Sequence, residues 1–128
     1  MVKKVLFFIV AVLLFAACSN RTVFSDYTEL DGGVWATDKS FAFNVEIEDT
    51  AASYEIDLML RNTDVFPRQN LWLKVEQEHN GHPISVDTLN IFLLDHDGKW
   101  IGKGLCSKYD NEFIWKQQVR FPEKGSYI

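Results

Sequence analysis

Cysteine is almost missing from this 128-residue chain, which carries only Cys18 and Cys106. If Cys18 is consumed by lipid, as argued below, no internal disulfide can form and stability must rest on an apolar core. Cys106 is then a lone thiol, for which a buried, inert position is expected. Positive charge is also short, with thirteen Lys and Arg against eighteen Asp and Glu. No clustered Lys/Arg face is visible along the chain. Phosphate neutralisation supplies most nucleic-acid affinity, so nucleic acid is excluded as a partner, and electrostatic docking on anionic lipid is disfavoured for the same reason. Catalytic signatures are missing too. There is no Gly-x-Ser-x-Gly, no Cys–His pair with a nucleophile, and no Gly-rich phosphate loop entering a helix. Asp and Glu abound, but solvated strand faces account for them better than a glycosidase pair does. No cofactor and no small-molecule substrate are expected. No apolar run reaches the roughly 18–20 residues that span a bilayer.

The one long apolar run sits at the start. Lys3 and Lys4 precede Val5–Ala17, which carries no charge, and Ala16-Ala17 lead into Cys18. A positive n-region, a short apolar core and a small-small-Cys site together form a lipoprotein signal peptide, residues 1–17. Cleavage before Cys18 frees its amine for one acyl chain, while its thiol takes a diacylglycerol. Two or more buried chains hold a protein on a membrane stably. Removing Lys3 and Lys4 leaves eleven basic residues against eighteen acidic ones. Residues 18–26, the lipidated Cys and a polar stretch beginning Ser19-Asn20-Arg21-Thr22, read as a tether. Ser19 rather than Asp after Cys18, and no acidic run beyond it, favour the outer membrane with the domain facing the periplasm.

Over 27–128 the dominant period is two. Phe41, Phe43, Val45 and Ile47 alternate with polar or small residues, and so do Tyr54, Ile56, Leu58 and Leu60. Leu71, Leu73 and Val75 alternate with Trp72, Lys74 and Glu76; Leu89, Ile91 and Leu93 alternate with Thr88, Asn90 and Phe92. Such alternation marks strands with one buried face. Val119 to Ile128, with Pro122 and Gly125, reads as a bend followed by a strand. Asp31-Gly32-Gly33, Asn80-Gly81 and Asp97-Gly98 supply turns, and Asn80-Gly81 is a type I′ hairpin signal. No segment carries a sustained 3.6-residue period. The expected fold is all-β, an antiparallel β-sandwich of jelly-roll or Ig-like type, with Phe43, Ile56, Leu58, Leu73 and Ile91 inward and Glu55 and Asp57 outward. Tyr127-Ile128 look like the opening of a strand, so the C-terminus reads as truncated.

Two constellations merit weighing as sites. His79 and His82 flank Asn80-Gly81, and Asp95-His96-Asp97 follows one strand later. Structural zinc wants four such ligands with a satisfied second shell, and a calcium loop wants a closing Glu that is missing here, so no metal is expected. The four tryptophans form the second. Trp72 lies on the polar register between Leu71 and Leu73, making a candidate interaction face with Lys74 and Glu76. Trp100, among glycines, is expected to plug the core, and Trp35 and Trp115 to pack against non-repetitive segments. Aromatic anchors are typical of protein–protein hot spots, whereas sugar binding by exposed rings on a sandwich is the alternative.

Several stretches together resemble the gliding-motility lipoprotein family GldH. They are Val23-Phe24-Ser25-Asp26-Tyr27, the isolated Trp35, Leu60-Arg61-Asn62, Asn70-Leu71-Trp72-Leu73 and Asp87-Thr88-Leu89. Asp97-Gly98-Lys99-Trp100-Ile101-Gly102-Lys103-Gly104 is the most distinctive, followed by Val119-Arg120-Phe121-Pro122 and Gly125-Ser126-Tyr127. The resemblance implies a non-enzymatic lipoprotein needed for cells to glide over surfaces, partnered by proteins of an apparatus linked to secretion of adhesins and chitinases. It implies no catalytic residues. Members of the family usually continue past the point where this chain stops.

Overall fold

The computed structural model describes residues 21–128. The expected lipidation site Cys18 and the expected signal segment lie outside the described residues. The chain divides between Lys39 and Ser40 into two compact units. Residues 21–39 contain no strand. A single 3-10 turn, Asp31–Gly33, forms there because Gly32 and Gly33 accept positive φ. The indole N–H of Trp35 donates to the Lys39 carbonyl at 2.7 Å, so this tryptophan closes a local loop.

The second unit, from Ser40 to Ile128, holds seven strands. They are β1 (Val45–Ile47), β2 (Tyr54–Thr63), β3 (Asn70–His79), β4 (His82–Phe92), β5 (Lys103–Leu105), β6 (Lys108–Val119) and β7 (Gly125–Tyr127). One sheet has the order β1-β7-β3-β4 and the other β2-β6-β5, with every pairing antiparallel. The two sheets pack face to face, so the chain is the antiparallel β-sandwich its period-two pattern predicts. The Asn80-Gly81 hairpin forms as expected: φ of 52° and 74° place both residues in the left-handed region, and His79 pairs with His82. A two-residue turn of that hand matches the twist of the strands it joins.

Alternating burial follows the alternating sequence. On β2, Tyr54, Ile56, Leu58 and Leu60 are half-buried while Glu55, Asp57 and Met59 are exposed. On β3, Leu71, Leu73 and Val75 turn inward, and Ile91 near the end of β4 and Leu93 just beyond it are buried. At the other end Ile47, Phe121 and Tyr127 form a buried cluster, with Val45, Tyr54, Ile56 and Val119 packed against it. The Phe121 ring meets Tyr54 at 5.4 Å and Tyr127 at 4.6 Å between centroids. This aromatic knot joins both sheets.

Three expectations from the sequence are corrected. Phe43 is exposed, because β1 opens only at Val45 and the alternation before it is not strand. Cys106 is exposed rather than buried. It sits with Ser107 in the tight turn between β5 and β6, both at positive φ (55° and 65°), where the Leu105–Lys108 pair leaves the two side chains in solvent. Trp115 lies within β6, the longest strand, and not beside an irregular segment.

β6 hides from periodicity because it is bulged. Lys116 pairs with Ile56 while Ile114 pairs with Asp57, so Trp115 has no residue opposite it. An extra residue on one strand breaks the inward–outward alternation, and here Trp115 and Lys116 are both part-buried. Further along, Asn111 faces inward opposite Leu60 and is buried. Its amide donates to Asn62 Oδ1 at 2.8 Å and to the Leu60 carbonyl at 3.1 Å. These bonds from its Nδ2 offset part of the cost of burying the amide, while its Oδ1 is buried without a hydrogen-bond partner. Gly104 must be glycine for a different reason, since a Cβ there would collide with the Lys108 carbonyl and the Tyr109 ring.

Candidate interaction face

Trp72, Lys74 and Glu76 share the outward register of β3, as expected from the sequence. Across the ladder they meet Asn90, Thr88 and Val86 of β4. Trp72 is 63% exposed, which is unusual for the largest apolar side chain. Lys74 Nζ is ion-paired with Glu76 Oε1, leaving both on the surface below the indole. The pairing adds residues that the sequence reading did not single out. Phe92, at 50% exposure, is diagonal to Trp72 across the two strands, and Val86 and Ile84 are exposed on β4. Diagonal neighbours lie about 7–8 Å apart, within reach of aromatic side chains. Asn70 Nδ2 donates to Asn90 Oδ1 at 2.7 Å between the two rings' positions. The face is therefore two aromatics and two aliphatics laid around a small polar pair and an ion pair. Signals for it existed in sequence, since Ile84, Val86 and Phe92 occupy the same register of one strand.

The remaining candidates scatter. Trp100 forms a bridge with Leu94 and stacks on Tyr109 at 5.4 Å, half-buried where β4 passes over to β5, so it covers a corner and does not plug the core. Trp115 Nε1 donates to Asp87 Oδ2 at 3.0 Å across the two sheets. Lys116 joins the same seam: its ammonium donates to Ser85 Oγ at 2.7 Å and lies 3.7 Å from Asp87. Asp87 shares the inward register of Leu89, so this carboxylate faces the other sheet while staying partly open to solvent.

The histidines do not converge. His79 stacks on Tyr127 at 4.1 Å, its Nδ1 is 2.9 Å from the Ser126 carbonyl and its Nε2 is 3.0 Å from Glu123 Oε2. The Ser126 hydrogen bond raises the His79 pKa; desolvation opposes it, and the Glu123 hydrogen bond and charge reinforce it. Asp95 caps its own turn, accepting from the Asp97 and Lys99 amides. Among the described residues no three His, Cys, Asp or Glu side chains are grouped as metal ligands.

A basic cluster does exist, contrary to the expectation of none. Pairing of β2, β6 and β5 sets Arg61 and Lys103 on either side of Asp110, with Lys108 close by. Arg61 donates through Nε and Nη2 to both Asp110 oxygens, at 2.6 and 3.0 Å. That hydrogen bond depresses the Asp110 pKa; partial desolvation opposes it, and the guanidinium charge adds to it. Arg61 on β2 lies far in sequence from the β5–β6 hairpin that carries Lys103 and Lys108, which is why a linear reading misses the cluster.

An antiparallel sandwich with an aromatic outer face defines a class of small β domains. Residues 22–128 match the family model described as GldH lipoprotein, so the chain belongs to that family. The chain is 26% identical over 124 residues to the gliding motility lipoprotein GldH homolog of Christiangramia forsetii, covering 97% of this chain and 75% of that one. It is 31% identical over 117 residues to gliding motility lipoprotein GldH of Flavobacterium johnsoniae, covering 91% and 71%. No solved structure matches the chain. No helix among the described residues is long and apolar enough to cross a membrane.

Proposed function

We propose that this chain is a non-enzymatic component of a bacterial gliding-motility machinery, anchored by acylated Cys18 and acting through protein–protein contacts. Both relatives above carry gliding motility in their names, which supports the process. The anchor is in the outer membrane and the domain faces the periplasm, the reading favoured by Ser19 after Cys18. The machinery is the one linked to adhesin and chitinase secretion in the family the chain resembles. The observation that carries the contact role is the exposure of Trp72 beside the Lys74–Glu76 ion pair. An indole left in water is costly unless a partner covers it, and such rings anchor protein interfaces. Crosslinking in native membranes followed by recovery through a C-terminal tag tests this. A protein partner captured by the wild-type chain and lost in Trp72→Ala supports the reading. Equal capture by both would remove the β3 face from it.

A further inference from the structure

β1 and β7 are joined to the rest of their sheet at one corner. β1 is an edge strand whose ladder runs along β7, through Val45–Tyr127, Glu46–Ser126 and Ile47–Gly125. β7 in turn meets β3 at a single register pair, His79 with Tyr127. Two backbone bonds between Glu78 and Ile128, at 2.8 and 3.0 Å, extend that contact. The β3–β4 ladder, by contrast, runs the whole length of β3. His79 therefore stands at the joint, and the bend that feeds β7 brings Glu123 to it. The ring stacks on Tyr127 with 12° between planes, Nδ1 faces the Ser126 carbonyl and Nε2 faces Glu123 Oε2. Tyr127 Oη donates to the Glu123 carbonyl at 2.8 Å, which ties the bend to the strand.

The proton on this ring decides which contacts are bonds. A carbonyl oxygen and a carboxylate only accept, so both ring nitrogens must carry hydrogen for Ser126 and Glu123 to be served together. Only the imidazolium does so. The neutral ring has one N–H, and Ser126, held in the β1–β7 ladder, keeps it on Nδ1. Nε2 then needs a donor, and Asn80 Nδ2 is 3.2 Å away. The charged ring needs the Asn80 amide turned over, with Oδ1 toward it. Once Nε2 has lost its hydrogen, Glu123 has neither a donor nor a positive charge to face. Its side chain is 67% exposed, so water takes over. The stack on Tyr127 weakens in the same step, because a cation over an aromatic face is attracted by the ring and a neutral imidazole is not.

We propose that His79 is a proton-operated latch on the β1–β7 pair. Protonated, it holds Glu123 and, through it, the bend and β7 against the end of β3. Neutral, it turns to Asn80 and leaves β7 to the Ser126 bond, the Glu78–Ile128 bonds and the buried cluster of Ile47, Phe121 and Tyr127. That cluster keeps the pair attached, so the neutral form loosens one corner of the sheet without unfolding it. The Ser126 contact first, with Glu123 in support and desolvation opposing, raises the pKa of His79 above 6.5, so the latch opens as pH climbs past neutrality. Other titratable groups border it. His82 lies opposite His79 across the hairpin, Glu78 precedes it on β3, Glu46 of β1 is level with Ser126, and Lys124 follows Glu123. Among the described residues Glu123 is the ion-pair partner of His79. The device is independent of which partner the Trp72 face takes.

Hydrogen exchange of the full chain in detergent, read by mass spectrometry and corrected for intrinsic amide rates, tests the latch. Between about pH 5.5 and about pH 8.5, peptides covering β1 and β7 should lose protection several-fold, while peptides covering the β3–β4 ladder keep theirs. His79→Phe, which retains a ring against Tyr127, should remove that pH dependence. The ring carbon signals of His79 in NMR supply a second readout. Glu123→Gln should lower the pH at which the ring titrates, and Asn80→Asp, which cannot donate to the neutral ring, should raise it. Loss of protection spread equally over β3 and β4, pH dependence that survives in His79→Phe, or a titration midpoint that moves in neither Glu123→Gln nor Asn80→Asp would overturn the proposal.

Discussion

Asp87 accepts a hydrogen bond from the indole of Trp115 at 3.0 Å, tying β4 of one sheet to β6 of the other. Lys116 adds its ammonium to the seam through Ser85 Oγ. The sandwich thus holds a polar bridge where a purely alternating pattern would place aliphatics. Because Asp87 is partly open to solvent, its loss is partly offset by water. Asp87→Ala should cost about 1–2 kcal/mol, the lower part of the range for orphaned buried donors. Chemical denaturation of wild type and variant measures it, and an unchanged midpoint would show that water satisfies the indole equally well.

His79 should make stability fall as pH rises. Its folded pKa lies above the ordinary value of 6.5, through the Ser126 carbonyl first and Glu123 in support. A group raised on folding stabilises fully below its unfolded pKa, and that contribution is lost as pH climbs through the folded pKa. Thermal midpoints between about pH 5.5 and 8.5 should therefore decline for this reason, and the slope should flatten in His79→Phe, which keeps the stack on Tyr127. The same slope in the variant would assign the effect elsewhere.

Trp72→Ala should abolish partner recovery and impair gliding while moving stability by less than about 0.5 kcal/mol, as expected for an exposed position. A fall of several degrees in the thermal midpoint would place the ring in the fold and not at an interface.

Ile91→Ala should cost about 2–5 kcal/mol, because Ile91 is buried on the inner face between the sheets. Phe43→Ala, outside β1 and exposed, should cost far less despite removing more atoms. Paired urea titrations would decide, and comparable losses would mean that Phe43 is covered in solution.

Cys18→Ala should release the chain from membranes, since the acyl chains proposed on Cys18 would supply the attachment. Continued fractionation with the outer membrane after a high-salt wash would sink the lipid anchor.

The sequence by itself determined the fold class, the inward and outward faces of β2, β3 and β4 and the outward position of Trp72, Lys74 and Glu76. Period-two alternation and the Asn80-Gly81 turn are local properties, and backbone geometry translates them directly into faces and a hairpin. The tertiary structure decided what depends on pairing between distant strands. It placed Phe92 and Val86 beside Trp72, gathered Arg61, Lys103 and Lys108 around Asp110, and turned Asp87 inward to meet Trp115. It also decided β6, whose bulge at Trp115 erases the alternation that periodicity reads, and Cys106, whose turn leaves it in solvent. One-dimensional spacing carries the face a residue takes, but only the register between strands says which side chains become neighbours.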